Sequence, residues 1–125
     1  MSAVELVRRL YEAYQARDWE TAATFLHEEA TVAMPATAER LKGREGVIGF
    51  QRAYPEPWGE LTVLRVVGDD KVAAAEIEIV AADDTFRMAA FWRAEDGLLR
   101  EGVEYWVTVG GEEPPPERAS ARTDA

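Results

Sequence analysis

Apolar residues recur at helical spacing near the start of the chain, at Val4, Val7, Tyr11 and Tyr14, with Leu6 and Leu10 flanking the same stripe. The pattern predicts an amphipathic helix to about Ala16, opened by a capping box at Ser2-Ala3-Val4-Glu5. A second helix is predicted after Asp18, with Glu20 in its first turn, Ala22, Phe25 and Leu26 buried, and an end near His27. Thr31-Val32-Ala33-Met34 reads as a short strand stopped by Pro35. After a polar stretch to Gly43, Val47, Phe50 and Tyr54 mark a third short helix, weakened by Gly46 and Gly49 and closed by Pro55-Glu56-Pro57.

From Glu60 the period changes. Runs at Leu61–Val67, Val72–Ala81, Thr85–Ala94 and Leu98–Val109 read as strands. Gly68-Asp69-Asp70, Asp83-Asp84 and Glu95-Asp96-Gly97 separate them and suit hairpin turns. Helices first and an antiparallel meander afterwards predict an α+β domain in the order α-α-β-α-β-β-β-β, with the helices on one sheet face. Residues 1–111 are read as one domain. Residues 112–125, with Pro114-Pro115-Pro116 and no apolar period, are read as an extended, partly disordered tail.

Composition narrows the function classes. At 125 residues and 47% hydrophobic, the chain is long enough for one self-sufficient core. A net charge of -10 disfavours phosphate backbones and anionic lipid, so neither nucleic acid nor membrane is expected as a partner. The absence of cysteine removes thiol nucleophiles and thiolate metal sites, and the single histidine, His27, removes His-rich ones. No apolar run approaches a membrane span and no signal peptide opens the sequence, so a soluble cytoplasmic protein is expected. No nucleotide loop or metal motif is visible, and no cofactor is expected.

Several stretches together resemble the SnoaL-like domains of the nuclear transport factor 2-like superfamily. They are Val7-Arg8-Arg9-Leu10-Tyr11-Glu12-Ala13-Tyr14, Asp18-Trp19-Glu20, the run from Phe25 to Val32, Gly43-Arg44-Glu45-Gly46-Val47 and the last strand from Asp96 to Trp106. The resemblance implies a curved antiparallel sheet wrapped around the N-terminal helices, a cone with an internal apolar pocket, and a homodimer. It does not fix an activity, since such folds host isomerases, cyclases, epoxide hydrolases and dehydratases. Alignment with the ketosteroid isomerases puts Met34 at the base, Leu10 at the oxyanion tyrosine and Ala90 at the protonated acid, which argues against that reaction. Alignment with limonene epoxide hydrolase puts Glu76 at its arginine, Glu78 at its first aspartate and Glu104 at its last-strand aspartate. The polyketide cyclases' sheet histidine has no counterpart, and His27 is expected to cap the second helix.

The candidate catalytic set is therefore Glu104, Glu78 and Glu76, whose carboxyl pKa values an apolar wall would raise towards acid–base use. Alternation offers a competing reading: Ile77 and Ile79 face inward with Val103, Tyr105 and Val107, and the glutamates pair outside with Arg87, Arg93 or Arg100. The expected pocket wall is Tyr14, Met34, Phe50, Tyr54, Trp58, Met88, Ala90, Trp92 and Trp106. Together these predict a small, mostly apolar organic ligand and cofactor-independent hydrolase, lyase or isomerase chemistry. The alternative is a non-catalytic ligand-binding or dimerisation module.

Overall fold

The computed structural model describes residues 1–55 and 58–123. Helix α1 (Ala3–Gln15) begins at a true capping box: the Ser2 hydroxyl accepts from the Glu5 N–H at 3.1 Å and the Glu5 carboxylate accepts from the Ser2 N–H. Its inner stripe is Ala3, Leu6, Val7, Leu10, Tyr11, Ala13 and Tyr14, all buried. Each large side chain on it contributes about 1.5–3 kcal/mol by leaving water. Helix α2 (Trp19–Ala23) is a single short turn after the Asp18 cap, whose side chain accepts from the Thr21 N–H. Helix α3 (Arg44–Ala53) packs Val47 and Ile48 inward and ends at an extended Tyr54 before Pro55. The rest of the expected Pro55-Glu56-Pro57 stop lies outside the described residues.

Six strands form one sheet: β1 (Leu26–Met34), β2 (Glu39–Lys42), β3 (Glu60–Gly68), β4 (Val72–Val80), β5 (Thr85–Glu95) and β6 (Leu98–Thr108). Their spatial order is β2-β1-β6-β5-β4-β3, antiparallel except where β1 runs parallel to β6. The β5–β6 turn places both Asp96 (φ 53°) and Gly97 (φ 76°) in the left-handed region, as a two-residue hairpin with right-handed twist requires. Helix α1 lies across one face of this sheet, against β3 and β4 above all. The fold is thus the α+β cone expected, with its core between α1 and the concave face.

Two elements differ from the sequence pattern. The strand expected at Thr31–Met34 begins at Leu26, so Phe25 and Leu26 are not helical and His27 caps no helix. His27 lies on β1, where its Nδ1 accepts from the Glu29 N–H at 3.0 Å and its Nε2 lies 3.8 Å from an Asp96 carboxylate oxygen. Strand β2 was hidden because Glu39, Arg40, Leu41 and Lys42 form a short polar edge with no alternation to read. After β6 the chain makes a short 3₁₀ helix at Pro116–Ala121 that buries no residue. Among the described residues no helix is long and apolar enough to cross a membrane.

Register decides which face each side chain takes. Three inward rows cross the meander: Ala73, Trp92 and Gly102; Ala75, Ala90 and Glu104; Ile77, Met88 and Trp106. The outer rows carry Glu76, Glu78, Arg87 and Arg93, together with Phe91, Val103, Tyr105 and Val107. On β4 the buried face is therefore Ile77 and Ile79, as alternation suggested. On β6 it is Gly102, Glu104 and Trp106, the opposite of what alternation suggested.

Candidate functional site

Glu104 is the one buried charged residue among those described, at 6% exposure. Ala75 and Ala90 share its row, and their small side chains leave room for the Tyr11 ring to descend from α1. The Tyr11 hydroxyl donates to Glu104 Oε2 at 2.7 Å, and the Trp92 indole N–H donates to that same hydroxyl oxygen at 2.9 Å. An indole can only donate, so Tyr11 accepts from it and sends its one proton towards the carboxyl. Tyr11 thus engages Oε2, and Oε1 is the carboxyl oxygen that it does not hold.

Trp92 reaches this position because the neighbouring strand carries no side chain opposite it. A Cβ at Gly102 would lie 2.6 Å from the indole ring, inside contact distance. Gly102, Trp92, Tyr11 and Glu104 thus form one dependent series, from a gap in the sheet to an oriented carboxyl.

Beyond Glu104 opens a cavity of about 80 Å³ lined by Tyr11, Tyr14, Met34, Phe50, Gln51, Tyr54, Trp58, Leu61, Ile79, Phe86, Met88, Glu104 and Trp106. Ring contacts join much of the wall: Tyr11 to Tyr14 at 5.6 Å, Phe50 to Tyr54 at 6.1 Å, Tyr54 to Trp58 at 6.1 Å and Phe86 to Trp106 at 6.1 Å. Tyr54, 40% exposed, stands at the rim. Burial pushes the Glu104 carboxyl above the ordinary glutamate value, and the Tyr11 hydrogen bond draws it part of the way back. Burial first, and the Glu104 charge second, hold the Tyr11 and Tyr14 phenols well above their usual value.

A model of the SnoaL-like domain matches residues 7–102. The chain belongs to the SnoaL-like family. Among solved structures, this SnoaL-like domain is similar to a Kribbella flavida protein provisionally assigned as a ketosteroid isomerase, with 29% identity, TM-score 0.90, and 98% of this chain and 89% of that one covered. It also resembles a nuclear transport factor 2-like protein of unknown function from Burkholderia xenovorans (17% identity, TM-score 0.80, covering 97% and 93%). A third similar structure is an LEH-like epoxide hydrolase from M. tuberculosis (17% identity, TM-score 0.70, covering 84% and 82%). At 17% identity the last two likenesses show the fold alone. No curated protein matches the sequence.

Of the residues proposed from the sequence, the wall of this cavity includes Glu104, Tyr14, Met34, Phe50, Tyr54, Trp58, Met88 and Trp106. It does not gather the other two carboxylates. Glu76 and Glu78 stand on the outer sheet face, where Glu76 pairs with Arg65 at 3.2 Å and Glu78 with Arg87 at 2.9 Å. The reason is register: β4 turns Ala75, Ile77 and Ile79 to the core, and its glutamates must take the other side. Ala90 and Trp92 are buried but form no part of the cavity wall; Ala90 sits beside Glu104 and Trp92 holds Tyr11. Tyr11, Gln51, Leu61, Ile79 and Phe86 are wall residues that the sequence reading left out of its set. Tyr11 shares the helical stripe of Tyr14, which was the available signal.

The raised Glu104 carboxyl has a consequence for stability. The folded chain binds this proton more tightly than the unfolded chain does. Its stabilising contribution is full below the unfolded value of about 4.3 and is lost as pH rises through the raised folded value. Urea unfolding across that window should show wild type losing stability relative to Glu104→Gln as pH rises. Parallel pH curves for the two proteins would contradict this burial.

Proposed function

We propose that this SnoaL-like domain binds a small, mostly apolar organic molecule in the cone cavity and that Glu104 gives it a proton. The observation that carries the reading is the Glu104 carboxyl, buried against an aromatic wall with Oε2 held by Tyr11. Desolvation favours its neutral acid form, which is the form a general acid needs near neutral pH. Hydrolysis in the two-carboxylate manner needs a second group to activate water, and Glu76 and Glu78 are on the far side of the sheet. A single carboxyl suits lyase or isomerase chemistry instead. The acid gives a proton to a leaving group, and the resulting carboxylate takes one back from the adjacent carbon. No cofactor enters this scheme.

Two copies of the chain are also part of the reading. The outer sheet face exposes Val67 (58%), Phe91 (51%), Tyr105 (51%) and Val107 (62%). Phe91 and Tyr105 pack edge to face at 6.0 Å, beside a shallow depression lined by Val67, Val72, Ala74, Phe91 and Val103. An apolar patch rimmed by Arg93, Glu101 and the Arg87–Glu76 pair has the make-up of an interface.

For the site, turnover of an acid-labile alcohol bound in the cavity should fall at least about 100-fold in Glu104→Gln, with binding changed less than about twofold. Undiminished turnover in the Gln variant would sink the assignment. For the interface, sedimentation at micromolar concentration should show a dimer that Phe91→Glu converts to a monomer. A monomeric wild-type protein would remove the second copy from the account.

A further inference from the structure

Among the described residues, the wall of this cavity carries neutral hydrogen-bonding groups on Tyr14, Gln51 and Tyr54 and a full charge of one sign only. Its wall holds one carboxyl and, among the described residues, no cationic side chain. Six rings stand around the space beyond Glu104: Tyr14, Phe50, Tyr54, Trp58, Phe86 and Trp106. Ring faces carry partial negative charge and attract cations. Trp58 already shows this, since the Arg17 guanidinium carbon lies 4.2 Å from its ring centroid. Arg17 itself donates to the Gln15 and Gly59 carbonyls and is not part of the wall. The whole chain, at net charge -10, also concentrates cations around it.

We infer that the molecule bound in this cavity carries an alkylamine whose nitrogen is held as an ammonium between Glu104 and the aromatic wall. This rests on the reading that the ligand meets Glu104 inside the cone, and it names the group that does so. A nitrogen that takes this proton gains positive charge, which the ring faces and the resulting carboxylate both attract. With a neutral tertiary amine, the O–H bond of the Glu104 carboxyl breaks and an N–H bond forms. The products are a carboxylate and an ammonium, and the net charge of the complex is unchanged.

The titratable groups facing Glu104 are Tyr11 and Tyr14 from α1, and Tyr54 stands at the rim beyond α3. The remaining described lining residues are Met34 from β1, Phe50 and Gln51 from α3, Trp58 before β3, Leu61, Ile79, Phe86 and Met88, and Trp106 from the strands, none of which titrates. Among the described lining residues Glu104 is the one carboxyl.

Choline and its neutral carbon isostere, in which a tert-butyl group replaces the trimethylammonium, provide the test. Isothermal calorimetry on the full chain should show choline binding about tenfold or more tightly than the isostere. That margin should widen as pH rises through the Glu104 titration, because the fixed cation requires the carboxylate. Choline should also release a proton to the buffer, seen by repeating the titration in buffers of different ionisation enthalpy. Glu104→Gln should narrow the margin, remove its pH dependence and lose the proton release while still binding the isostere. The pH series on wild type stands alone if that variant fails to fold. Equal binding of the two probes, or a margin independent of pH and of Glu104, would overturn the ammonium assignment while leaving the apolar cavity intact. Binding of neither probe would overturn the ammonium assignment and count equally against the ligand-binding reading itself.

Discussion

A carboxyl taken out of water without a partner costs several kcal/mol, and the rest of this site follows from how the chain meets that cost. The Tyr11 hydroxyl, 2.7 Å from Glu104 Oε2, is the partner. Its oxygen also accepts from the Trp92 indole N–H, which keeps the hydroxyl proton turned to the carboxyl, and for Trp92 to be there Gly102 must have no side chain. The small residues Ala75 and Ala90 then keep the row beside Glu104 low enough for the tyrosine to reach it. Helix α1, the sheet register and one glycine thus converge on a single hydrogen bond. Its removal would leave a buried acceptor unsatisfied, a larger loss than the bond's own net contribution of about 1 kcal/mol.

The same arrangement limits the chemistry. Tyr11 occupies one oxygen of the carboxyl, and among the described wall residues there is no second carboxyl to share a reaction. The outer-face carboxylates are engaged differently, in exposed cross-strand pairs worth about 0–1 kcal/mol each. Two glutamates on one strand and a third two strands away look alike as sequence. Their environments differ by the whole thickness of a sheet.

Much of the fold was legible because its signals are local. The α1 stripe from Leu6 to Tyr14 and the four meander strands follow from helical and alternating spacing, and the strand ends agree to within one residue. The edge strand β2 and the early start of β1 at Leu26 were not legible, since Glu28, Glu29, Glu39, Arg40 and Lys42 are charged and carry no apolar period. The face of β6 misled for a physical reason. Val103, Tyr105 and Val107 form an apolar stripe that points outward, so hydrophobic alternation there marks the outer face and not the core. Only the resemblance to other cones placed Glu104 inside. The Tyr11–Glu104 contact joins residues 93 positions apart, a distance at which no periodicity carries information.

The central claim is that Glu104 is a desolvated acid held by Tyr11, and carboxyl-carbon NMR titration of the wild-type protein tests it most directly. The account predicts a resonance, absent in Glu104→Gln, that titrates above the ordinary glutamate range of about 4.3 and moves higher still in Tyr11→Phe, where the hydrogen bond to the carboxylate is gone. An ordinary glutamate titration at position 104, unmoved by the loss of the Tyr11 hydroxyl, would contradict it.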